Sequence, residues 1–323
     1  MPIRNEAAFI ERSLGAVLAQ DYPPERMEVL VADGMSTDHT REIIASLAQT
    51  SPVPVTLVDN PGKIVPTGFN RALAQARGEV IVRVDGHTLI EPNYVRECVA
   101  ALGRSGADNV GGRMNAVSSS PFGAAVALAT SSPFGVGGAR FHYSDQEEWV
   151  DTVYMGAWPR SVFERIGGFD EEMVRNQDDE FNYRLQAAGG RVLLSPRIQS
   201  RYYNRSSLRS LWRQYYQYGL YKVRVLQKHP LQMRPRQFAP IALVSAVLGG
   251  ALLAPFSRML RGLWLLAVVL YGAANLAASL HTARRHGWEH LRFLPVVFGT
   301  LHFSYGLGFL RGLVKFYNRW SSR

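Results

Sequence analysis

Short apolar runs alternate with amphipathic ones through residues 1–102. Met27–Ala32, Val53–Asp59 and Glu79–Asp85 ("EVIVRVD") are predicted strands. Helical periodicity covers Ala7–Ala19, Thr40–Leu47, Thr67–Ala76 and Pro92–Leu102. That order predicts an α/β domain with a mostly parallel central sheet covered by helices. Ligands in such sheets gather at the carboxyl ends of strands, where Asp33 and Asp85 fall. Only Met1–Pro2–Ile3 precede the polar run Arg4–Asn5–Glu6, so the first strand is very short or the start lies downstream of the natural one. From 110 to 170 the chain is rich in glycine and serine, which predicts long substrate-lining loops. Within them "RSVFERIGGF" is a short helix closed by Gly167–Gly168. A helix from Asp179 to Ala188 and a short strand at Val192–Leu194 follow.

The pattern then changes. Phe238–Phe256 and Gly262–Leu280 carry no charge, and each is long enough to cross a hydrocarbon core of roughly 30 Å as a helix. Phe293–Leu310 is weaker, holding His302 and several glycines. Arg224, Lys228, Arg234 and Arg236 before the first run place that side in the cytosol, and the loop His281–Arg292 with it. A third full crossing would export Arg311, Lys315, Arg319 and Arg323, against the positive-inside tendency. The last segment is therefore expected to be re-entrant or interfacial, with a third crossing as the alternative.

Charge sharpens the division. Residues 1–200 carry 18 Lys/Arg against 25 Asp/Glu, while 201–236 carry nine basic residues and no acidic one, and 237–323 nine basic and one acidic. An acidic front half argues against nucleic acid as partner; a basic segment leading into apolar spans points to anionic membrane lipids. The expected organisation is a cytosolic catalytic domain over 1–200, a basic aromatic interfacial segment over 201–236, and a membrane domain over 237–323. The polar opening has no signal-peptide pattern, so the catalytic half is expected to face the cytosol at the inner membrane. The single cysteine, Cys98, excludes an internal disulfide and reads as a buried thiol. No GxGxxG or phosphate-loop lysine motif is present.

Three acidic groups carry the candidate chemistry. Asp33 leads "DGMSTDHT", where it is either a turn residue or an acceptor for a base or ribose, with Asp38 the N-cap of the next helix. Asp85 and His87, two positions apart after a strand, could converge on one divalent cation, although D-G-H alone is weak evidence. Asp178, Asp179 and Glu180 form an acidic run at a helix start, which taken alone is as often an ordinary helix N-terminus as a site.

Together they resemble the family 2 glycosyltransferases of the GT-A fold, including the succinoglycan-type membrane enzymes. The resemblance rests on "PIRNEAAFIERSLGAVLAQ", "ADGMSTDHT", "NPGKIVPTGFNRALAQARGEVIVRVDGHT" and "GGFDEEMVRNQDDEFNYRL". It implies that Pro2, Arg4, Glu6 and Asp33 surround the base and ribose of a nucleotide-sugar donor, with Lys63 near the base or diphosphate. It implies Asp85 and His87 as ligands of Mn2+ or Mg2+, with Asp85 toward the diphosphate, and Asp178 as catalytic base. Asp179, Arg213, Gln214 and Tyr218 would face the acceptor.

Two departures matter. The metal motif ends in His87 rather than aspartate, a softer ligand that suits Mn2+ at least as well as Mg2+. Gln177 stands where the family has glutamate, which eases deprotonation of Asp178, an effect Asp179 works against. The implied reaction is inverting transfer of one sugar from a nucleotide-diphosphate sugar, with a lean to UDP, onto a lipid-linked saccharide. A processive synthase, a membrane nucleotidyltransferase and an inactive membrane scaffold are the competing readings.

Overall fold

A computed structural model describes residues 1–118, 120–204 and 207–320. The chain forms two compact units: Met1–Asn115 with Arg140–Tyr203, and Ala116–Ala139 with Asn204–Arg323. Arg323, in the basic tail whose side of the membrane the sequence leaves open, lies outside the described residues.

The first unit opens with β1 (Pro2–Ile3), α1 (Ile10–Leu18), β2 (Val29–Asp33), α2 (Thr40–Thr50), β3 (Val55–Asp59) and α3 (Val65–Leu73). β1, β2 and β3 pair in parallel, which places Asp33 beside Ile3 on one side and Asp59 on the other. Ile10, Leu14 and Val17 of α1 and Ile44 of α2 bury on this sheet, with Val29 and Val31 beneath them. β4 (Val80–Val82), β5 (Thr88–Ile90), α4 (Tyr94–Ser105) and β6 (Asn109–Val117) follow. α4 ends at Gly106, whose φ of +62° suits a residue without Cβ, and it buries Cys98, whose thiol burial pushes up in pKa.

The segment 116–139 contributes α5 (Pro121–Thr130) and α6 (Pro133–Val136) to the second unit. The chain returns through β7 (Glu148–Val150), β8 (Tyr154–Pro159), α7 (Arg160–Ile166), α8 (Gln177–Ala187) and β9 (Val192–Tyr203).

The sheet is not mostly parallel. β1, β2 and β3 pair in parallel; a second, mixed sheet runs β4-β8-β6-β9-β5 with β7 on β9, its β4–β8, β6–β8, β5–β9 and β7–β9 pairs antiparallel, while β6 and β9 run the same way, with the Asp108 N–H on the Arg191 carbonyl at one end and the Asn204 N–H on the Val117 carbonyl at the other. Parallel neighbours need a crossover of a dozen or more residues. β1 to β3 have such crossovers in α1 and α2. The expected strand Val192–Leu194 extends to Tyr203, and the glycine-rich stretch from 110 is strand and helix rather than loop. Gly112 sits so close to the backbone of Ile198 that a Cβ would fall 1.5 Å from its carbonyl oxygen. Its missing side chain records close packing, not a turn.

In the second unit, α9 (Leu208–Lys228) is followed by α10 (Ala239–Val244), a π-turn at Ser245–Gly249, α11 (Gly250–Leu253), α12 (Arg258–His286) and α13 (Leu294–Lys315). Pro235–Phe256 and Arg258–His286 are long and apolar enough to cross a membrane. Leu263, Leu266, Val269 and Leu270 of α12 are exposed, a cost in water that a hydrocarbon surround would remove.

α13 packs within the second unit. It buries Leu294, Val297, Phe298, Leu301 and Phe309, and it lies against α9 at backbone distance. A Cβ at Gly308 would meet the Tyr216 carbonyl at 2.0 Å, and one at Gly219 the Tyr305 carbonyl at 2.0 Å. Small residues permit this approach, and dispersion contacts along both helices repay it. α9 likewise buries Leu211, Leu220 and Val223, so it is a core helix on that face rather than a purely interfacial one.

Candidate active site

The loop after β1 is stitched to the loop after β2. Asn5 takes a φ of +52°, its N–H donates to Ser36 Oγ at 2.8 Å, and its Oδ1 accepts from the Thr37 N–H at 2.9 Å. The Glu6 N–H donates to Thr40 Oγ1 at 2.9 Å. Asp38, expected to cap the next helix, instead joins both loops, accepting from the N–H groups of Ala7 and Thr40, each at 3.2 Å. The Thr40 hydroxyl, with those N–H groups, holds its carboxyl below the usual range.

Asp33 ends β2 fully buried. Its carboxylate accepts from the Ser36 N–H and hydroxyl and from Arg41 Nη1 at 3.1 Å; Arg41 Nη2 reaches Asp59 at 2.9 Å. Pro2 is a buried member of β1. Arg4 is exposed and packs over Gly34. Lys63 is exposed in a turn with φ of +62°, its N–H on the Asn60 carbonyl at 3.0 Å.

The turn from β4 to β5 holds Asp85, Gly86 and His87. Ser13 Oγ donates to the Gly86 carbonyl at 2.6 Å and the Thr88 N–H to the Asp85 carbonyl at 3.1 Å, fixing the turn from both sides. His87 Nδ1 lies 3.1 Å from Glu6 Oε1, and the ring meets Tyr202 edge-on at 5.6 Å. Tyr202 arrives because β9 pairs Tyr202 with Thr88.

Arg83 organises the acids. It is 3% exposed, and its Nε and Nη2 donate to the two oxygens of Asp85 at 2.9 and 3.1 Å. Its Nη1 donates to Asp178. One guanidinium thus gathers Asp85 and Asp178, which lie far apart in sequence. Burial works against its charge, but Asp178 and Asp85 outweigh that and hold it above its ordinary pKa. The fork geometry of arginine suits this double task, which a lysine ammonium could not match. Arg83 also lies over the Phe169 ring at 5.8 Å.

Asp178 and Asp179 occupy the first turn of α8, after Asn176 at φ of +61°. The helix is anchored by Arg184, which grips Glu180 at 3.0 Å and donates to the carbonyls of Ile166 and Gly168. Asn70 of α3 pins the preceding loop, donating to the Phe169 carbonyl and accepting its N–H, both at 2.8 Å. Burial pushes the Asp178 carboxyl up to about 6 against the pull of Arg83, with Asp85 and Asp179 adding. Whatever Gln177 contributes toward deprotonation, desolvation prevails.

Sequence reasoning overlooked Arg83 and Asn70. An arginine inside the otherwise apolar strand pattern two positions before Asp85 was the available signal. Arg213, Gln214 and Tyr218 lie on α9 of the second unit, where Gln214 Nε2 donates to Tyr218 Oη at 2.9 Å.

Among the described residues no three His, Cys, Asp or Glu side chains gather to hold a metal by themselves. Asp85 and His87 supply one oxygen and one nitrogen donor. Each Asp85 oxygen keeps a lone pair beyond its bond to Arg83. Such a pair fits a cation completed by substrate phosphate oxygens and water.

Residues 1–167 match the family model described as glycosyl transferase family 2. The chain is 32% identical to the succinoglycan biosynthesis protein ExoA of Rhizobium meliloti (strain 1021), over 99% of this chain and 95% of that one. It is 26% identical to the dolichyl N-acetyl-alpha-D-glucosaminyl phosphate 3-beta-D-2,3-diacetamido-2,3-dideoxy-beta-D-glucuronosyltransferase of Methanococcus voltae, covering 98% and 96%. Among solved structures, the mannosyltransferase PcManGT from Pyrobaculum calidifontis, in complex with GDP-Man and Mn2+, matches with a TM-score of 0.62 at 22% identity, over 93% of this chain and 85% of that one. TarS 1–349 of S. aureus matches with a TM-score of 0.53 at 17% identity, over 98% and 90%. These two likenesses are of fold, a GT-A-like α/β domain with a central sheet. With its family match across the first half and its relative along nearly the whole length, the chain belongs to glycosyl transferase family 2.

Proposed function

We propose that this glycosyltransferase is a metal-dependent, inverting enzyme. It transfers one sugar from a nucleotide-diphosphate sugar, with UDP the first base to try, to a hydroxyl of a lipid-linked saccharide at the cytosolic face of a membrane. The observation that carries the reading is the single buried guanidinium of Arg83, on which the metal-motif carboxylate Asp85 and the base candidate Asp178 meet.

Asp178 accepts the proton of the acceptor hydroxyl as its oxygen forms a bond to the anomeric carbon. The bond from that carbon to the diphosphate breaks on the opposite face, and its electron pair leaves with the nucleoside diphosphate. A carboxylate is a weak base, so the proton moves late, as charge builds on the sugar ring. A divalent cation held at Asp85 and His87 would neutralise charge on the leaving diphosphate. Arg83 keeps Asp178 aimed and favours its ionised form before it takes the proton. On the family resemblance we assign Lys63, Arg4 and Pro2 to the donor and Asp179 to the acceptor, and propose Arg213, Gln214 and Tyr218 of α9 as further acceptor residues.

The lipid-linked acceptor draws on the two relatives, one named for succinoglycan biosynthesis and one for a dolichyl-linked phosphate saccharide. The membrane setting draws on the two long apolar helices and the basic residues Arg224, Lys228, Arg234 and Arg236 before them. Detergent-solubilised protein, Mn2+, membrane lipid extract and a panel of nucleotide sugars test it. One donor should release nucleoside diphosphate and give a lipid product heavier by a single sugar. Release of pyrophosphate, or a ladder of many sugars from one encounter, would defeat the reading.

A further inference from the structure

We infer that Glu6 is a positioning residue for the metal motif: it fixes the His87 proton on Nδ1 and so leaves Nε2 as the atom that binds the cation beside Asp85. The inference rests on the metal-dependent reading above and gives Glu6 a different task from donor binding.

A neutral imidazole has one donor and one acceptor nitrogen, and its neighbours decide which is which. An ionised carboxylate only accepts, so at 3.1 Å from Glu6 Oε1 the His87 Nδ1 is the donor. Nε2 then carries the lone pair, and it has no hydrogen-bond partner among the described residues. The side chain is 29% exposed, enough for a ligand to reach that atom. Tyr202 against the ring restricts its rotation.

The fold holds Glu6 over the motif. Its N–H is bound by Thr40, and its carbonyl accepts from Phe9 and Ile10, both at 2.8 Å, where α1 begins. A Cβ at position 86 would stand 3.0 Å from Glu6 Cγ and 2.8 Å from Ile3 Cγ2. Gly86 therefore makes room for the Glu6 stem to lie across the turn and reach His87. The arrangement answers a need particular to this chain. An aspartate at position 87 would present two equivalent oxygens and require no tautomer, whereas a histidine must be told which nitrogen to offer. A carboxylate behind a ligating imidazole also raises its basicity, and loss of such a partner costs roughly 10–100-fold in metal affinity. A nitrogen donor shifts preference toward Mn2+ over Mg2+.

The test uses the full chain in detergent, saturated with UDP or GDP, whichever the wild type binds more tightly. Bound Mn2+ is followed by EPR, and electron-spin-echo modulation reads nitrogen coupled to the ion. The wild type should show a directly coordinated histidine nitrogen. Glu6→Ala should weaken Mn2+ about 10–100-fold while binding of the nucleotide in EDTA stays unchanged. In a His87→Asp background the same Glu6→Ala should leave Mn2+ affinity unaltered. Glu6→Gln, which keeps an acceptor oxygen and the shape, should fall between, and it carries the test if the alanine variant fails to fold. Loss of metal-free nucleotide binding with Mn2+ affinity intact would assign Glu6 to the donor and overturn the inference. Equal losses in both backgrounds would do the same, as would Mn2+ bound without nitrogen coupling. If the wild type binds no Mn2+ at all, the metal-dependent reading itself fails, which is a distinct result.

Discussion

Replacing Arg83 with methionine removes the one cation that two acids share while keeping most of the volume. Arg83 is 3% exposed, Asp85 15% and Asp178 27%, so the variant leaves two largely buried carboxylates without the cation they share. Removing one partner of a buried ion pair costs about 3–5 kcal/mol. Both acids keep some solvent here, which favours the lower end, about 3 kcal/mol at pH 8. For a unit of this size that is a fall of about 6–12 °C in Tm.

The pH dependence has a definite sign. The Asp178 pKa is raised to about 6 in the folded protein from an ordinary 3.8, so protonation favours the fold and the penalty appears as pH rises through 6. Without Arg83 the folded-state value rises further. At pH 5 Asp178 takes up a proton and the variant recovers part of its loss; at pH 8 it does not. Thermal unfolding of the full chain in detergent at pH 5, 6.5 and 8 reads this, with Arg83→Lys expected in between. A Tm unchanged at pH 8, or a loss no greater at pH 8 than at pH 5, would refute the reasoning.

Other outcomes follow from the same geometry. With a base whose pKa is about 6, kcat/KM should climb between pH 5 and 7 and level off above; a flat profile would remove Asp178 from the proton transfer. Asp85→Ala should abolish stimulation by Mn2+ and most of the transfer rate, and a wild-type rate undiminished by EDTA would defeat the metal role. Gly308→Val places a side chain where a Cβ already meets the Tyr216 carbonyl at 2.0 Å, so it should cost at least about 1–3 kcal/mol and expose the second unit to trypsin. Gly272→Val on α12, with nothing within 4 Å, is the matched control and should be silent.

The strand and helix alternation of residues 27–105 was legible because each element carries its own apolar period. Boundaries drifted where local signals compete. α3 begins at Val65 with Pro66 in its first turn, ahead of the expected Thr67, and α8 begins at Gln177 rather than Asp179. The mixed second sheet was hidden because Gly111 and Gly112 read as loop residues. Their small size answers Val153 and Ile198 from elsewhere in the chain. The glycines of α13 have the same kind of reason, fitting the backbone of α9.

At the site, motif spacing pointed to Asp85, His87 and Asp178 through their resemblance to a family. What it could not give was the wiring. Arg83 reaches Asp178 across 95 positions, and Glu6 reaches His87 across 81. No local pattern announces either contact. Asp33 shows the converse: its place at the end of a strand was legible, but its bonds to Ser36 and Arg41 were not.

The central claim is that Asp178 is the base of a sugar transfer whose donor binds independently of it. Asp178→Asn tests that most directly, with donor binding by calorimetry and lipid-product mass measured on one preparation. The account predicts that transfer disappears while the donor binds within a few-fold of wild type. Continued transfer, or loss of donor binding in step with turnover, would contradict it.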